Sequence, residues 1–174
     1  TGEGGAVLTN DPKIDEKVRR LRAHGITKDP DQLKQHGGPW YYELHEPGFN
    51  YRITDFQCAL GSSQLKKLDR FIDKRRQIAS NYDSAFSNFD IFKVPECHSS
   101  IRHAYHLYPL QVDFDKTNTT KTRLFEEMKA IGINLQVHYV PLHWQPFYQK
   151  NYGFKQGDFP VSVNFYHREI SLQF

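Results

Sequence analysis

The chain has 174 residues, of which 38% are hydrophobic and 25% charged, and its formal net charge is +3. This length allows one large domain or parts of two, and the composition is typical of a water-soluble globular protein. Positive and negative charges are interspersed and no apolar run approaches the roughly 20 residues that span a bilayer, so neither a nucleic-acid groove nor a membrane segment is indicated.

The two ends of the chain do not resemble natural boundaries. The sequence begins at Thr1 without a Met and stops at Phe174 with no sign of a C-terminus. We therefore expect an internal piece of a larger enzyme. Its two cysteines, Cys58 and Cys97, are too few for a disulfide framework and fit a reducing cytoplasm. Cys58 lies in an apolar helical stretch and is expected in the core.

The first fifty residues predict a strand, a helix and a long loop. Residues 6–9 form a short β-like run. The apolar residues that follow recur at helical spacing, at Ile14, Val18 and Leu21. Gly25 supplies a stop for this helix. Residues 27–47 carry prolines and glycines without a clear period, which predicts a loop, and loops of this length are often functional.

A capping box and a long apolar stripe predict the central helix. Thr54 and Gln57 have the spacing at which a hydroxyl and an amide satisfy the free backbone groups of a helix start. No proline follows until Pro95. This predicts a helix, or a nearly continuous pair, of roughly 30 residues and about 45 Å. The stripe consists of Phe56, Leu60, Leu68, Ile72, Ala79, Tyr82 and Phe86.

From about Lys93 the pattern becomes that of an α+β domain. Residues 105–114 alternate as a strand does, and a helix capped by Thr119 or Thr120 is ended by Gly132. The later predicted elements are a strand over 134–140, a short helix over 158–168 and a strand over 170–172.

Asn50 and Arg52 are the strongest local candidates for a binding site. Residues two apart in an extended segment point the same way, so both side chains would lie beside the N-terminus of the long helix. Free N–H groups and the helix dipole favour an anion there, and a carboxamide with a guanidinium suits a phosphate or carboxylate. Alternatively, Asn50 satisfies the turn and Arg52 pairs with a neighbouring acid, and the residues alone leave both interpretations open.

The nine histidines have no zinc-finger spacing among themselves or with the cysteines, so no metal site is expected. His138 lies on the polar side of a predicted strand, near Tyr139, His143 and Tyr148. Such a cluster of hydrogen-bonding rings suits a polyhydroxylated substrate. Packing without function is the alternative.

Four segments in order carry a family resemblance. They are TGEGGAVLTND, GFNYRITDFQCALGSSQLKKLDRFIDKRR, INLQVHYVPLHWQPFY and YGFKQGDFPVSVNFYHREISL. Together they resemble the sugar aminotransferases of the DegT/DnrJ/EryC1/StrS family, which use pyridoxal phosphate (PLP). The third segment is most similar to the branch that aminates a UDP-linked 4-keto-6-deoxy-N-acetylaminosugar on the route to pseudaminic acid, the UDP-4-amino-4,6-dideoxy-N-acetyl-altrosamine transaminases.

The resemblance implies an α/β fold, that of the fold-type I PLP transferases, in a homodimer with shared active sites. Residues 1–53 would end the large PLP-binding domain, residues 54–88 would form the domain-linking helix, and residues 89–174 a truncated small C-terminal α+β domain. The implied substrates are a nucleotide sugar and L-glutamate. No nucleic-acid or membrane partner is implied, and the expected location is the cytoplasm.

The resemblance also implies roles for individual residues. Asn50 matches the family Asn that reaches across the dimer to the phosphate of the neighbouring cofactor, and Arg52 follows in the same motif. The Schiff-base lysine would lie a few residues upstream of Thr1, so we expect no catalytic residue in this chain and no activity from it alone. The residues that fall where the family contacts nucleotide sugar are His138, Tyr139, His143, Gln145, Phe147 and Tyr148.

Three other functions stay open. A family relative with His in place of the lysine would be a dehydratase, and the residue upstream of Thr1 decides between the two enzymes. A non-catalytic nucleotide-binding module and a dimerisation piece built on the long helix are the others. A truncated small domain is also expected to expose apolar surface.

Overall fold

The computed structural model describes all 174 residues, which divide into one unit at Thr1–Lys67 and a second at Leu68–Phe174. The division falls inside the helical region predicted over residues 54–88. The predicted limits of the three parts, 1–53, 54–88 and 89–174, stay a prediction. No helix has both the length and the apolar character that crossing a membrane requires.

The first unit contains helix α1 (Pro12–Leu21), the paired strands β1 (Ile26–Thr27) and β2 (Glu43–Leu44), and helix α2 (Asp55–Leu65). The predicted first helix is confirmed, and Asp11 caps it through an Oδ1 that accepts from the Lys13 backbone N–H at 2.8 Å. The strand predicted over residues 6–9 is wrong, because no other strand lies beside this segment to share hydrogen bonds.

The capping box is confirmed at the start of α2. Thr54 Oγ1 accepts from the Gln57 N–H at 3.3 Å, and the Thr54 N–H donates to Gln57 Oε1 at 3.1 Å. Helix α3 (Leu68–Phe86) begins three residues after α2 ends, so the predicted nearly continuous pair is also confirmed. The core position predicted for Cys58 is wrong, since α2 buries none of its residues and this thiol is exposed.

The predicted loop over residues 27–47 is present, apart from the two-residue strands at its ends, and it is organised around the Glu43 carboxylate. Four groups contact it: the backbone N–H of Lys34 at 2.8 Å, that of Gln35 at 3.1 Å, the Tyr41 hydroxyl at 3.1 Å and His45 Nε2 at 3.0 Å. The hydrogen bond from Lys34 is the largest cause that lowers the pKa of Glu43 to about 2, and it acts against desolvation.

The second unit is built on a three-stranded antiparallel sheet in the order β3–β4–β5. The strands are β3 (Phe92–Lys93), β4 (Tyr108–Val112) and β5 (Glu169–Leu172). The helices are α3, α4 (Lys121–Ala130), α5 (Pro146–Tyr152) and α6 (Pro160–Arg168). The predicted elements in the regions of β4, α4, α6 and β5 are thus confirmed. Thr120 caps α4 and Gly132 follows it with a φ of +84°.

The core of the second unit lies on the sheet. Its buried apolar residues are Ala79, Tyr108, Leu110, Val112, Leu135 and Ile170. Only the C-terminal part of the predicted stripe contributes, since Ala79 is buried and Tyr82 and Phe86 pack against the core, whereas Phe56 is 80% exposed. The Tyr108 hydroxyl donates to Asp83 at 2.6 Å, and burial raises the pKa of Tyr108 far above its usual value.

The strand predicted over residues 134–140 is wrong and is replaced by a single bridge between Gln136 and Ser171. The Ser171 N–H donates to the Gln136 carbonyl at 2.8 Å. Two residues later the His138 N–H donates to the side chain of Glu169, at 3.1 Å, instead of to a strand carbonyl. A side-chain acceptor thus replaces the backbone carbonyl that would accept the next hydrogen bond of a strand pair.

Replacement of a core residue should destabilise the second unit. Leu110→Ala removes a side chain that is 1% exposed at the centre of β4. We expect a loss of about 2–5 kcal/mol in the free energy of unfolding, from lost burial and the cavity left behind. Urea denaturation followed by circular dichroism measures it. Leu142→Ala, at a position 64% exposed, is the control, and equal losses in the two variants would contradict the assigned core.

Acid should weaken the order of the loop. Because the folded-state pKa of Glu43 is lowered to about 2 from 4.5, its stabilising contribution is present above about pH 4.5 and is lost as the pH falls through about 2. The NMR shifts of the Lys34 and Gln35 amides, followed against pH, should report this single titration. Glu43→Gln should abolish it. A Glu43 midpoint near 4.5 would contradict the described contacts.

Candidate functional site

The Asn50 segment is fastened to the end of α1 by three backbone hydrogen bonds. They run from Phe49 N to Leu21 O at 2.7 Å, from His24 N to Phe49 O at 2.8 Å, and from Tyr51 N to Arg22 O at 2.9 Å. Asn50 and Ala23 form an antiparallel β-bridge between the two segments. Residues next to the predicted anion site are therefore positioned by helix α1, about 30 residues earlier in the chain.

Two glycines allow this junction. A Cβ atom at Gly48 would lie 2.1 Å from the backbone nitrogen of Gly25, and a Cβ at Gly25 would lie 1.7 Å from the carbonyl oxygen of Glu46. Gly25 also has a φ of +74°, which L side chains rarely adopt. Gly48, the first residue of the GFNYR motif, is thus required by close contact between two backbone segments.

Arg52 lines a cleft of about 790 Å³ in the first unit. The cleft also contains Arg19, Arg22, Asp15 and Glu3. Arg19 is paired with Asp15 at 2.9 Å, whereas Arg22 and Arg52 form no ion pair with any acid of the chain. The interpretation in which Arg52 pairs with a neighbouring acid is therefore not supported. The cleft holds three guanidinium groups against the two carboxylates of Glu3 and Asp15, and this excess of positive charge makes it suitable for an anion.

Asn50 is placed differently from Arg52. It is exposed and does not line the cleft, and its side chain makes no hydrogen bond within the chain. The side chain is therefore not used to satisfy the turn. The two predicted cofactor ligands are two residues apart in sequence, but only Arg52 lines the cleft of its own chain, and their roles stay a prediction.

The six predicted sugar-nucleotide residues lie in the second unit, from His138 just after the Gln136 bridge to Tyr148 in the first turn of α5. Tyr139 is 72% exposed and Phe147 is exposed, whereas Gln145 and Tyr148 are half-buried at the start of α5. His143 is 6% exposed. Its Nε2 lies 3.1 Å from the carbonyl oxygen of Gln156, which also accepts from Trp144 Nε1 at 3.0 Å. Nε2 of His143 is thus already engaged within the chain.

His138 is joined to two residues that the sequence did not single out. Its Nδ1 lies 2.7 Å from Ser171 Oγ, and that hydroxyl lies 2.5 Å from Oε1 of Glu169. Glu169 and Ser171 are two apart on β5 and so share a face, but the strand predicted from the sequence covered only 170–172 and did not include Glu169. Their contact with His138 depends on the bridge at Gln136. No group of three or more His, Cys, Asp or Glu side chains is arranged to hold a metal ion.

Comparison with known proteins identifies the family. The model of the DegT/DnrJ/EryC1/StrS aminotransferase family matches residues 1–174. The chain belongs to this family. Its similar relatives include protein MJ1066 of Methanocaldococcus jannaschii, 42% identical over 172 residues, and the spore coat polysaccharide biosynthesis protein SpsC of Bacillus subtilis, 40% identical over 173. A UDP-4-amino-4,6-dideoxy-N-acetyl-beta-L-altrosamine transaminase of Campylobacter jejuni is 38% identical over 172 residues.

These matches cover 99% of the chain but only 45%, 44% and 43% of the three relatives, so the chain spans less than half the length of each. Helicobacter pylori PseC, an aminotransferase of pseudaminic acid biosynthesis, superposes with a TM-score of 0.75 at 32% identity over 94% of the chain and 41% of PseC. The PLP form of the sugar aminotransferase Spr1654 of Streptococcus pneumoniae gives 0.78 at 26% identity, over 94% of the chain and 39% of Spr1654. The chain is thus an α/β part of the PLP aminotransferase fold.

The glycine junction can be tested without any ligand. Gly48→Ala places a Cβ 2.1 Å from a backbone nitrogen, so the junction must open. We expect faster hydrogen exchange at the amides of His24, Phe49 and Tyr51. The strain caused by overpacking is typically about 1–3 kcal/mol, and each 1.4 kcal/mol of it should raise the exchange rate about tenfold.

The matched control is Gly157→Ala, whose added Cβ meets nothing within 4 Å. It should leave these three amides unchanged. Retained protection in Gly48→Ala would show that the junction tolerates a side chain and is not the constraint described.

Proposed function

We propose that the whole protein to which this chain belongs is a PLP-dependent aminotransferase that moves an amino group from L-glutamate to a nucleotide-linked 4-keto-6-deoxy sugar. The observation that carries this proposal is the family match over every residue. The names of the C. jejuni and H. pylori relatives favour a UDP-linked N-acetylaminosugar on the pseudaminic acid route. In this proposal residues 1–53 end the cofactor domain, 54–88 link the domains, and 89–174 form the small domain.

The residues of the first unit fit the phosphate of PLP. Two guanidinium groups without acidic partners, Arg22 and Arg52, line a cleft large enough for a cofactor. Asn50 carries a free carboxamide outside that cleft, as expected of a side chain that serves the cofactor of a second subunit in a homodimer. When bound, PLP supplies the electron sink that lets the α-carbon of the amino donor lose its proton.

The second unit fits the sugar nucleotide. Exposed rings at Tyr139 and Phe147 can stack on a base or on a sugar face, and His138 keeps its Nε2 free. His143 fits a supporting role, since its Nε2 holds the Gln156 carbonyl. We expect Gln145 and Tyr148 to contribute polar contacts from the start of α5.

Binding of the cofactor tests the proposal in the whole protein. Asn50→Ala and Arg52→Gln should each raise the Kd for PLP by about tenfold or more, because each removes a hydrogen bond to a charged phosphate, worth roughly 1.5–3 kcal/mol. Isothermal titration calorimetry measures the Kd. Asn118→Ala, at an exposed position whose side chain makes no hydrogen bond, is the control and should match the unmodified protein.

A Kd for PLP that neither variant changes would remove Asn50 and Arg52 from the cofactor site. A whole protein that binds no PLP would overturn the proposed function. The residue upstream of Thr1 separates the two enzyme activities, since a lysine allows transamination, whereas a histidine at its place indicates the dehydratase.

A further inference from the structure

A completely buried carboxylate lies at the start of β5. Glu169 is 0% exposed, although charged side chains are almost never fully buried without partners. Its Oε1 is 2.5 Å from Ser171 Oγ and its Oε2 accepts from the His138 backbone N–H at 3.1 Å. Lys121 is close enough for its charge to interact with Glu169, but it makes no ion pair and donates to the Tyr166 carbonyl at 2.6 Å.

The strand geometry brings Ser171 between Glu169 and His138. Residues 169 and 171 are two apart on β5, so their side chains share a face. The bridge between Gln136 and Ser171 fixes the neighbouring segment, and His138 follows two residues after that bridge. A continuous chain of side-chain hydrogen bonds results, from the carboxylate through the hydroxyl to Nδ1 of the imidazole.

The proton positions in this chain follow from what each group can donate. The Ser171 hydroxyl donates to Glu169 Oε1, and a hydroxyl has a single proton to donate. The oxygen of Ser171 is then an acceptor towards His138, which requires the proton of the neutral imidazole to lie on Nδ1. Nε2 therefore carries the lone pair.

Nε2 of His138 is available to a ligand. It makes no hydrogen bond within the chain, and no buried side-chain nitrogen or oxygen lacks a partner, so this atom is open to solvent. An acceptor nitrogen held at a fixed angle recognises a hydroxyl or an amide N–H, both of which an N-acetylaminosugar nucleotide offers.

We propose that Glu169 and Ser171 are positioning residues that fix His138 as its Nδ1–H tautomer, so that Nε2 accepts a hydrogen bond from a hydroxyl or amide group of the sugar nucleotide. The ligand part of this proposal rests on the proposed function. The tautomer is a property of the chain itself and can be measured independently.

Long-range proton–nitrogen NMR correlations of the chain report the tautomer, at a pH well above the ordinary imidazole pKa of about 6.5. His138→Gln identifies the signals among those of nine histidines. We expect the Nδ1–H pattern in the unmodified chain. Ser171→Ala should shift His138 towards the Nε2–H form that free histidine prefers. Ser171→Thr, which keeps the hydroxyl, should retain Nδ1–H, and Ser162→Ala at an exposed position is the control.

An Nε2–H pattern in the unmodified chain would overturn the proposal, because it would mean that Glu169 is protonated and that the hydrogen bonds run the other way. The proposal would also be overturned if the Ser171→Ala variant shows an unchanged His138 pattern while the amides of its sheet keep their protection from hydrogen exchange.

Kinetics of the whole protein test the ligand part. Loss of one oriented hydrogen bond should raise KM for the sugar nucleotide by about 2- to 12-fold in Ser171→Ala, with KM for the amino donor unchanged and Ser171→Thr restoring it. An Nδ1–H tautomer with an unchanged KM would overturn the role in binding. A whole protein that binds the sugar nucleotide but transfers no amino group would overturn the proposed function and leave the positioning of His138 supported.

Discussion

The contact between Gly25 and Gly48 is the constraint on which the first unit depends. It allows the backbone of the segment after the long loop to contact the backbone at the end of α1, and three short hydrogen bonds join the two. The position of Asn50, the entry to the capping box at Thr54 and the placement of Arg52 in the cleft all follow from that junction. A side chain at either glycine would separate the Asn50 segment from the helix to which it is hydrogen-bonded.

The second unit depends on the hydrogen bond between the His138 backbone N–H and the Glu169 carboxylate. Glu169 lies at the junction of α6 and β5. Its carboxylate accepts a hydrogen bond from the His138 backbone N–H, which in a fourth strand would donate to a backbone carbonyl of β5. The segment carrying His138 therefore leaves the sheet edge after one bridge, and the imidazole is directed by Ser171. The same carboxylate that ends the ladder thus orients the side chain proposed to contact the substrate.

Local signals in the sequence were sufficient for α1, α2 and α4, whereas α5 was not predicted. The Thr54 capping box, the spacing of Ile14, Val18 and Leu21, and the glycine after α4 act within a few residues, and the structure confirms each. The strand predicted over 134–140 failed because the segment makes only one bridge, and the next backbone N–H, that of His138, donates to a side chain 31 residues away. The core position predicted for Cys58 failed for a related reason, since an apolar run does not show what covers it.

Some residues of the candidate site could be predicted from the sequence and others could not. Asn50 and Arg52 were singled out by their position before the helix N-terminus and His138 by its place on the polar side of a predicted strand, and the family resemblance then implied roles for them. Glu169 and Ser171 were not found, since their relation to His138 exists only after residues far apart in sequence are paired across the sheet edge. Burial of His143 against Phe159 likewise depends on a segment that the sequence could not place beside it.

The central claim is that the whole protein transfers an amino group, and isotope transfer tests it most directly. The whole protein would be incubated with PLP, a UDP-linked 4-keto-6-deoxy-N-acetylhexosamine and L-glutamate labelled with nitrogen-15 at its amino group. Mass spectrometry of the sugar nucleotide should show an amine carrying the heavy nitrogen. A product that has lost water without gaining nitrogen, or an unchanged sugar nucleotide, would contradict the account.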